Sequence, residues 1–266
     1  MKKQILLLAL GLFTVASFAQ KNEIKAAEKA IKKQDFAAAV AAVNSAEGLI
    51  ANADDKTKAK FYFLKGQAFG GKKDYEAAAK AYNDLFELEK SSGKKRYTDK
   101  AMPLLNGLKN EVNARAFKLN EAKNYAESSK AFHLRYILDK RDTMFLANAA
   151  QLALQANDLD NAFKLYTELK NLRYTGIKDV YQATDKSNNK KVTFNSKEEM
   201  NLMVKSGKYS TPLITKSESK RSENLKRLVN ILSKQKKFDE ALSLIQDIRK
   251  GEPDDLDLLL AEAFLY

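Results

Sequence analysis

Between Ala59 and Leu88 apolar and polar residues follow a helical period, and they do so twice. In the first run Tyr62 and Gly66 lie about one turn apart. In the second, Tyr75, Ala78, Tyr82 and Leu85 fall at i, i+3, i+7 and i+10, which is one continuous stripe along a helix. The polar segment Gly71-Lys72-Lys73-Asp74 separates the runs, so the pattern predicts two amphipathic helices joined by a tight turn. Small residues on the stripes, Gly66 and Ala78, mark where the two backbones approach. The three tyrosines fill the space around that approach.

The same order of small and large positions recurs along the chain. Phe36 leads Ala39, Val43 and Ala46, after a helical run over residues 23–33. Tyr125 leads Ser128 and Phe132, after Val112, Ala116 and Leu119. Leu159 leads Ala162, Tyr166 and Leu169, after Leu146, Ala150 and Ala153. Phe238 leads Ala241, Ile245 and Ile248, after Leu225, Val229 and Leu232. The markers Phe36, Tyr75, Tyr125, Leu159 and Phe238 are 39, 50, 34 and 79 residues apart. This order of aromatic, small residue, turn, Tyr, small residue and aromatic resembles the tetratricopeptide repeat, a helix–turn–helix unit of about 34 residues. The resemblance implies an all-α solenoid, with repeats one to four in residues 20–175 and a fifth in 222–253. The chain departs from the family pattern in having no Trp, in placing Ser128 where Ala is usual, and in closing only the fifth unit with a proline, Pro253.

Two intervals exceed the repeat length. After Leu88, the stretch Glu89–Tyr97 contains Ser91, Ser92, Gly93 and the basic run Lys94-Lys95-Arg96. It predicts a solvated loop before a helix beginning between Thr98 and Pro103. The basic run is either a contact for an acidic surface or an ordinary solvated face. The second interval, residues 176–221, is β-prone. Lys178–Thr184 and Lys191–Phe194 read as strands around the turn-forming Asp185–Lys190. Ser196 with Glu199 forms a capping box for a short helix that Gly207 ends; Pro212 and a polar stretch, Thr215–Ser222, follow. A β-hairpin plus a helix is therefore expected inside the array. The insertion is similar to a pattern of exported repeat proteins from Bacteroidetes-type bacteria. It serves either as a partner contact or brace, or as an excursion that packs on itself.

Residues 1–19 carry the three parts of a secretory leader: Lys2 and Lys3, the apolar stretch Ile5–Phe18, and Ser17-Phe18-Ala19 before Gln20. The apolar stretch falls short of the roughly 20 residues a spanning helix needs. A mature chain starting at Gln20, in the periplasm or outside a Gram-negative-like cell, is the expectation. At the other end, Leu256–Tyr266 reads as the first helix of a sixth repeat (254–266) whose second helix lies beyond Tyr266, which suggests a longer array.

Composition narrows the chemistry. With 44% apolar and 30% charged residues the chain is a folding one, and three prolines in 266 residues favour helices. No cysteine means no disulfide, no thiolate metal site and no cysteine nucleophile. The one histidine, His133, has no second nitrogen or sulfur ligand to join it in a metal site. The carboxylate pairs Asp54-Asp55, Glu198-Glu199 and Asp254-Asp255 fall at loops and helix starts, where negative charge suits the macrodipole. No glycine-rich phosphate loop follows a strand. The expectation is no catalytic set, no metal and no cofactor.

Binding is what remains. In the family, first helices line the concave face. The resemblance carries that role to Asn110, Asn113, Phe117 and Asn120 in the third unit. It carries it to Met144, Asn148, Gln151 and Gln155 in the fourth, and to Lys226, Arg227, Asn230 and Lys234 in the fifth. Amides and cations on one face can hold a peptide backbone or a carboxylate, although polar residues are also the default on any exposed helix face. Lys226 with Asn230 resembles half of the family's carboxylate clamp. The net charge of +13 suits an anionic envelope surface or an acidic protein segment, or serves solubility alone; an exported chain without aromatic-flanked basic motifs is a poor match for nucleic acid. The leading expectation is a non-enzymatic protein-binding scaffold of the cell envelope. The alternative is an accessory region of an envelope enzyme or signalling protein whose active domain lies beyond Tyr266.

Overall fold

The structure, a computed structural model, describes residues 21–250 together with 259, 260, 262 and 263. The expected leader lies outside the described residues. So does most of the expected helix at 254–266, of which 259, 260, 262 and 263 are helical. The chain divides into two compact units between Phe145 and Leu146. The first contains α1 (21–32), α2 (Phe36–Glu47), α3 (Asp55–Gly71), α4 (Tyr75–Ser92), α5 (Thr98–Glu121) and α6 (Tyr125–Leu138). Helix α7 (Met144–Gln155) begins at the boundary. The second unit continues with α8 (Leu159–Asn171), β1 (Asp179–Asp185), β2 (Lys191–Phe194), α9 (Lys197–Lys205), β3 (Tyr209–Lys216), α10 (Arg221–Lys234) and α11 (Phe238–Arg249). It is an all-α helix–turn–helix array with a small β-containing insertion.

Each helix pair is joined by the same turn, and the turn recurs at the same place in all five. Gln34, Lys73, Lys123, Asn157 and Lys236 have φ between 58° and 62°, the left-handed region. The N–H of the next residue reaches back five positions: Asp35 to Ala30 O, Asp74 to Phe69 O, Asn124 to Leu119 O, Asp158 to Ala153 O and Lys237 to Leu232 O, at 2.9–3.0 Å. This is a Schellman closure, which satisfies carbonyls that the ending helix would otherwise leave without partners. Asp35, Asp74 and Asp158 then cap the following helix, their carboxylates accepting from the N–H of Ala38, Ala77 and Asn161.

The packing explains the small and large positions. Ala39, Ala78, Ser128, Ala162 and Ala241 are wholly buried. Gly66 lies against the ring of Tyr82: a Cβ there would fall 2.4 Å from a ring carbon, so no larger residue fits. Ser128, the departure from alanine, keeps the small volume and donates its hydroxyl to Ala116 O at 2.8 Å. A buried hydroxyl with a partner costs little. In the first unit α1, α2 and α3 share one apolar cluster around Ala39, Val43, Phe61 and Leu64. A second cluster around Tyr82, Leu85, Leu105 and Val112 joins α3, α4 and α5. In the second unit α8 and α11 both pack on α10.

The stretch after Leu88 is only in part the solvated loop expected from its composition. Helix α4 continues to Ser92, Gly93 (φ 68°) ends it, and α5 starts at Thr98 with Pro103 inside it. Glu89 is buried. Its carboxylate accepts from Tyr97 N–H at 2.8 Å, Thr98 N–H at 3.1 Å and the Thr98 hydroxyl at 2.8 Å. The Tyr97 ring stacks on Phe63 at 5.0 Å. Lys94, Lys95 and Arg96 remain exposed.

The insertion has one strand more than expected. β3 covers Tyr209–Lys216, including Pro212 and part of the stretch read as polar, and the sheet order is β2-β1-β3, antiparallel throughout. Pro212 is accommodated because β3 is an edge strand with an irregularity between Gln182 and Thr184 of its partner, beside Thr211 at φ 52°. The capping box is present: Glu199 N–H donates to Ser196 Oγ at 3.1 Å, and Glu199 in turn accepts from Asn195 N–H at 2.9 Å. One sheet face and α9 enclose Ala183, Phe194 and Met200, with Tyr181, Val192 and Tyr209 around them. At its base the two connecting segments are tied together, Lys220 N–H to Thr175 O at 2.7 Å and Ser217 N–H to Lys178 O at 2.9 Å.

Candidate functional site

On α5, Val112 and Ala116 are buried, and the residues one position further on, Asn113 and Phe117, flank that buried stripe one turn apart. Asn113 is half-buried. Its Oδ1 is covered and has no hydrogen-bond partner among the described residues. A covered acceptor without a donor costs roughly 1–3 kcal/mol. Phe117 is 47% exposed, unusual for a large aromatic. It is not loose, because its ring meets Phe132 edge to face at 5.1 Å. Phe132 stacks in turn on Phe145 at 6.1 Å, and the Arg135 guanidinium sits 4.4 Å from the Phe145 centroid.

Sequence reading missed Phe145 and Arg135. The signal was available: Arg135 occupies the place that Ala46, Leu85, Leu169 and Ile248 hold in the other units. Arg135 Nη1 is also covered and without an acceptor, while Nη2 lies 3.7 Å from Asp142. A row of rings thus ends at a cation on one side and reaches solvent at Phe117 on the other. The base of this region is held by charge. Lys109 of α5 donates to Asp139 at the end of α6, at 3.0 Å, and Arg141 grips the same carboxylate with two N–H groups. Arg141, with Lys109, holds the Asp139 carboxyl well below the usual range despite its burial.

The other expected residues are placed less uniformly. Asn110 is exposed and Asn120 half-buried on α5; on α7, Met144, Gln151 and Gln155 are exposed and Asn148 half-buried. On α10, Asn230 and Lys234 are exposed and Lys226 is half-buried. Arg227 is engaged within the chain. It donates to Glu223 one turn back and to the Tyr166 hydroxyl of α8 at 3.4 Å, bracing α8 on α10. Burial of Tyr166 pushes its phenol above the ordinary value, so the hydroxyl stays neutral and able to accept. Asn113 and Phe117 lie in the first unit, and Asn148, Gln151, Lys226, Arg227 and Asn230 in the second.

The second unit also has a groove that its sequence did not announce. Between α8, α10 and α11, two concavities of about 520 Å³ each share Lys170, Leu244 and Asp247. Leu225, Leu228 and Leu232 line the α10 side, and Thr167 Oγ1, covered and without a partner, is on the α8 side. His133 stacks on Tyr136 of its own helix at 6.2 Å. No group of three or more His, Asp or Glu converges as a metal site among the described residues.

No family model and no curated protein matches the chain. Among solved structures, NprR in complex with its cognate peptide NprX aligns over 92% of this chain and 70% of its own, at 10% identity and a TM-score of 0.28. BtubC (BKLC) from P. vanneervenii aligns over 88% of this chain and 92% of its own, at 11% identity and the same TM-score. At 0.28 neither likeness carries weight for what this chain binds.

Proposed function

We propose that the chain is a non-enzymatic scaffold of tetratricopeptide type that holds extended protein or peptide segments, exported to the cell envelope after cleavage before Gln20. The repeat reading draws support from the left-handed turn residue that recurs in all five helix pairs and from the 34-residue step between Tyr125 and Leu159. The observation that carries the binding reading is Asn113 beside Phe117. A peptide offers apolar side chains for a ring that is half in water, and the half-buried Asn113 lies one turn away on the same helix. Acidic segments are favoured by the basic balance of the chain. The leader pattern carries the location.

A random peptide display library panned on the purified chain tests the binding reading. Enriched peptides should lose about tenfold or more in affinity on Phe117→Ala, as a truncated aromatic anchor does, and should also weaken on Asn113→Ala. Leu172→Ala, which alters an exposed apolar residue elsewhere, should leave them unchanged. Peptides indifferent to both α5 substitutions would exclude this face. For the location, N-terminal mass spectrometry of fractionated cells should find Gln20 first in the periplasmic or extracellular fraction; a cytoplasmic chain retaining residues 1–19 would refute export.

A further inference from the structure

The charges of the insertion are sorted by topology. β1 runs away from the tied base, the turn at 186–190 reverses it, and β2 returns; α9 then runs outward again, and β3 comes back from Tyr209, which pairs with Asp185. The far end therefore gathers the turn 186–190, the start of β2, the end of α9 and the turn at 206–208. It holds Lys186, Lys190, Lys191, Lys205 and Lys208. All five are exposed, and none makes an ion pair among the described residues. The backbone joins the two turns, Lys186 N–H donating to Lys208 O at 3.1 Å.

The acidic side chains are placed or committed elsewhere. Asp179 pairs with Lys216 at 2.6 Å near the base. Glu198 and Glu199 lie in the first turn of α9, also toward the base, and Glu199 is used in the capping box. Asp185 is the one carboxylate at the far end, and its oxygens are occupied by Ser187 N–H and Oγ and by Asn188 Nδ2. The far end also carries Leu202, on the outer half of α9. At 68% exposed it is the most exposed of the large hydrophobic side chains among the described residues.

We propose that this end of the insertion docks on an anionic phospholipid surface, with the five lysines against headgroup phosphates and Leu202 seated at the acyl boundary. Clustered lysines alone would suit any polyanion. An exposed leucine among them gains nothing from a polyanion in water, but it is stabilised where headgroups meet hydrocarbon. Nucleic acid would call for a free aromatic platform; Tyr209 instead packs its ring against Phe194 at 5.3 Å. The inference is independent of the peptide-binding face on α5.

Co-sedimentation of the purified chain with extruded vesicles tests it. Each lysine near an anionic surface is worth about fivefold in partitioning. The chain should bind vesicles containing about 30% phosphatidylglycerol and leave pure phosphatidylcholine in the supernatant. The K186Q/K190Q/K205Q/K208Q variant should lose at least about 100-fold in partitioning. A control with equal charge change in the helical array, K25Q/K33Q/K72Q/K94Q, should lose less than about fivefold. Leu202→Ala should weaken vesicle binding by about tenfold while leaving retention on polyglutamate beads unchanged. The proposal is overturned by indifference to phosphatidylglycerol, by equal losses in the two quadruple variants, or by vesicle binding that Leu202→Ala does not alter. The last result would mark the end as a contact for an acidic protein.

Discussion

Glu89 and Phe194 belong to the two stretches that exceed the repeat length, and their surroundings are opposite. Glu89 is a charge buried inside the helical array, fed by donors from the residues that follow it. Phe194 is an apolar residue enclosed by its own insertion, among Ala183, Met200, Tyr181 and Tyr209. The difference follows from length. The connection of residues 93–97 is too short to enclose a core, so its groups must find partners on α3 and α4: Tyr97 takes Phe63 and the N-terminus of α5 takes Glu89. The longer stretch has enough apolar residues to close a cluster of its own, and its tied base leaves α8 packed on α10. Extra residues in a repeat array either borrow a neighbouring core or build one, and each mode leaves a different weak point.

The comparison breaks most visibly at Phe194. Phe194→Ala should cost about 3–5 kcal/mol, as a buried Phe truncation does, and the loss should stay within the insertion. Hydrogen exchange at Tyr181 and Ala183 should then speed up by orders of magnitude while the amides of Leu85 and Val112 keep their rates. Faster exchange at Leu85 and Val112 as well would mean that the insertion is not self-contained.

Next in size, Glu89→Ala should destabilise the first unit by about 2–3 kcal/mol, because a charged acceptor for three donors is removed. Denaturant unfolding followed on the first unit measures this; a loss below about 0.5 kcal/mol would place Glu89 among ordinary surface residues.

Acid should remove part of the same contribution. Burial alone would raise the Glu89 pKa, but the Thr98 hydroxyl and the N–H groups of Arg96, Thr98 and Tyr97 outweigh it and hold the pKa below the ordinary 4.5. A lowered pKa stabilises the fold fully above 4.5, and the contribution is lost as pH falls from there through the lowered value. Between neutral pH and about pH 3.5, wild type should lose more stability than Glu89→Gln does. Parallel losses would show that the carboxylate is not the charged partner described.

The smallest effect sharpens the contrast from the other side. Replacing residues 176–219 with a short turn should change the stability of the helices by less than about 0.5 kcal/mol, since Thr175 and Lys220 are already joined at 2.7 Å. Exchange rates at Ala162 and Leu228 report on it, and a collapse of protection at both would mean that the insertion braces the array.

Of the candidate site, Asn113 and Phe117 were reachable only through the resemblance to the repeat family, which implies that first-helix positions such as these line a binding face. Whether such a position is free was not reachable. Arg227 has the same kind of register and is spent on Tyr166 and Glu223. The row through Phe132 and Phe145 to Arg135 depends on which rings meet, a matter of contact between helices and not of spacing within one.

The amino-acid sequence by itself determined the five helix pairs and the places where they cross. Helix pairing demands a small residue opposite a large one at fixed steps, so the requirement is written along the chain: Gly66 must be small for Tyr82, and Ala39, Ala78, Ser128, Ala162 and Ala241 must fit crossings with no spare volume. It also announced the first two strands and the α9 cap, whose causes are local. Tertiary structure decided the rest. The left-handed turns are occupied by Gln34, Lys73, Lys123, Asn157 and Lys236, none a glycine, because the packed helices and the closing hydrogen bond compensate a conformation the residues would not choose. Strand β3 forms around Pro212 because only β1 supplies its partners, and Glu89 is buried because Thr98 arrives to bond it. These outcomes depend on groups brought together from separate parts of the chain, and no local period records them.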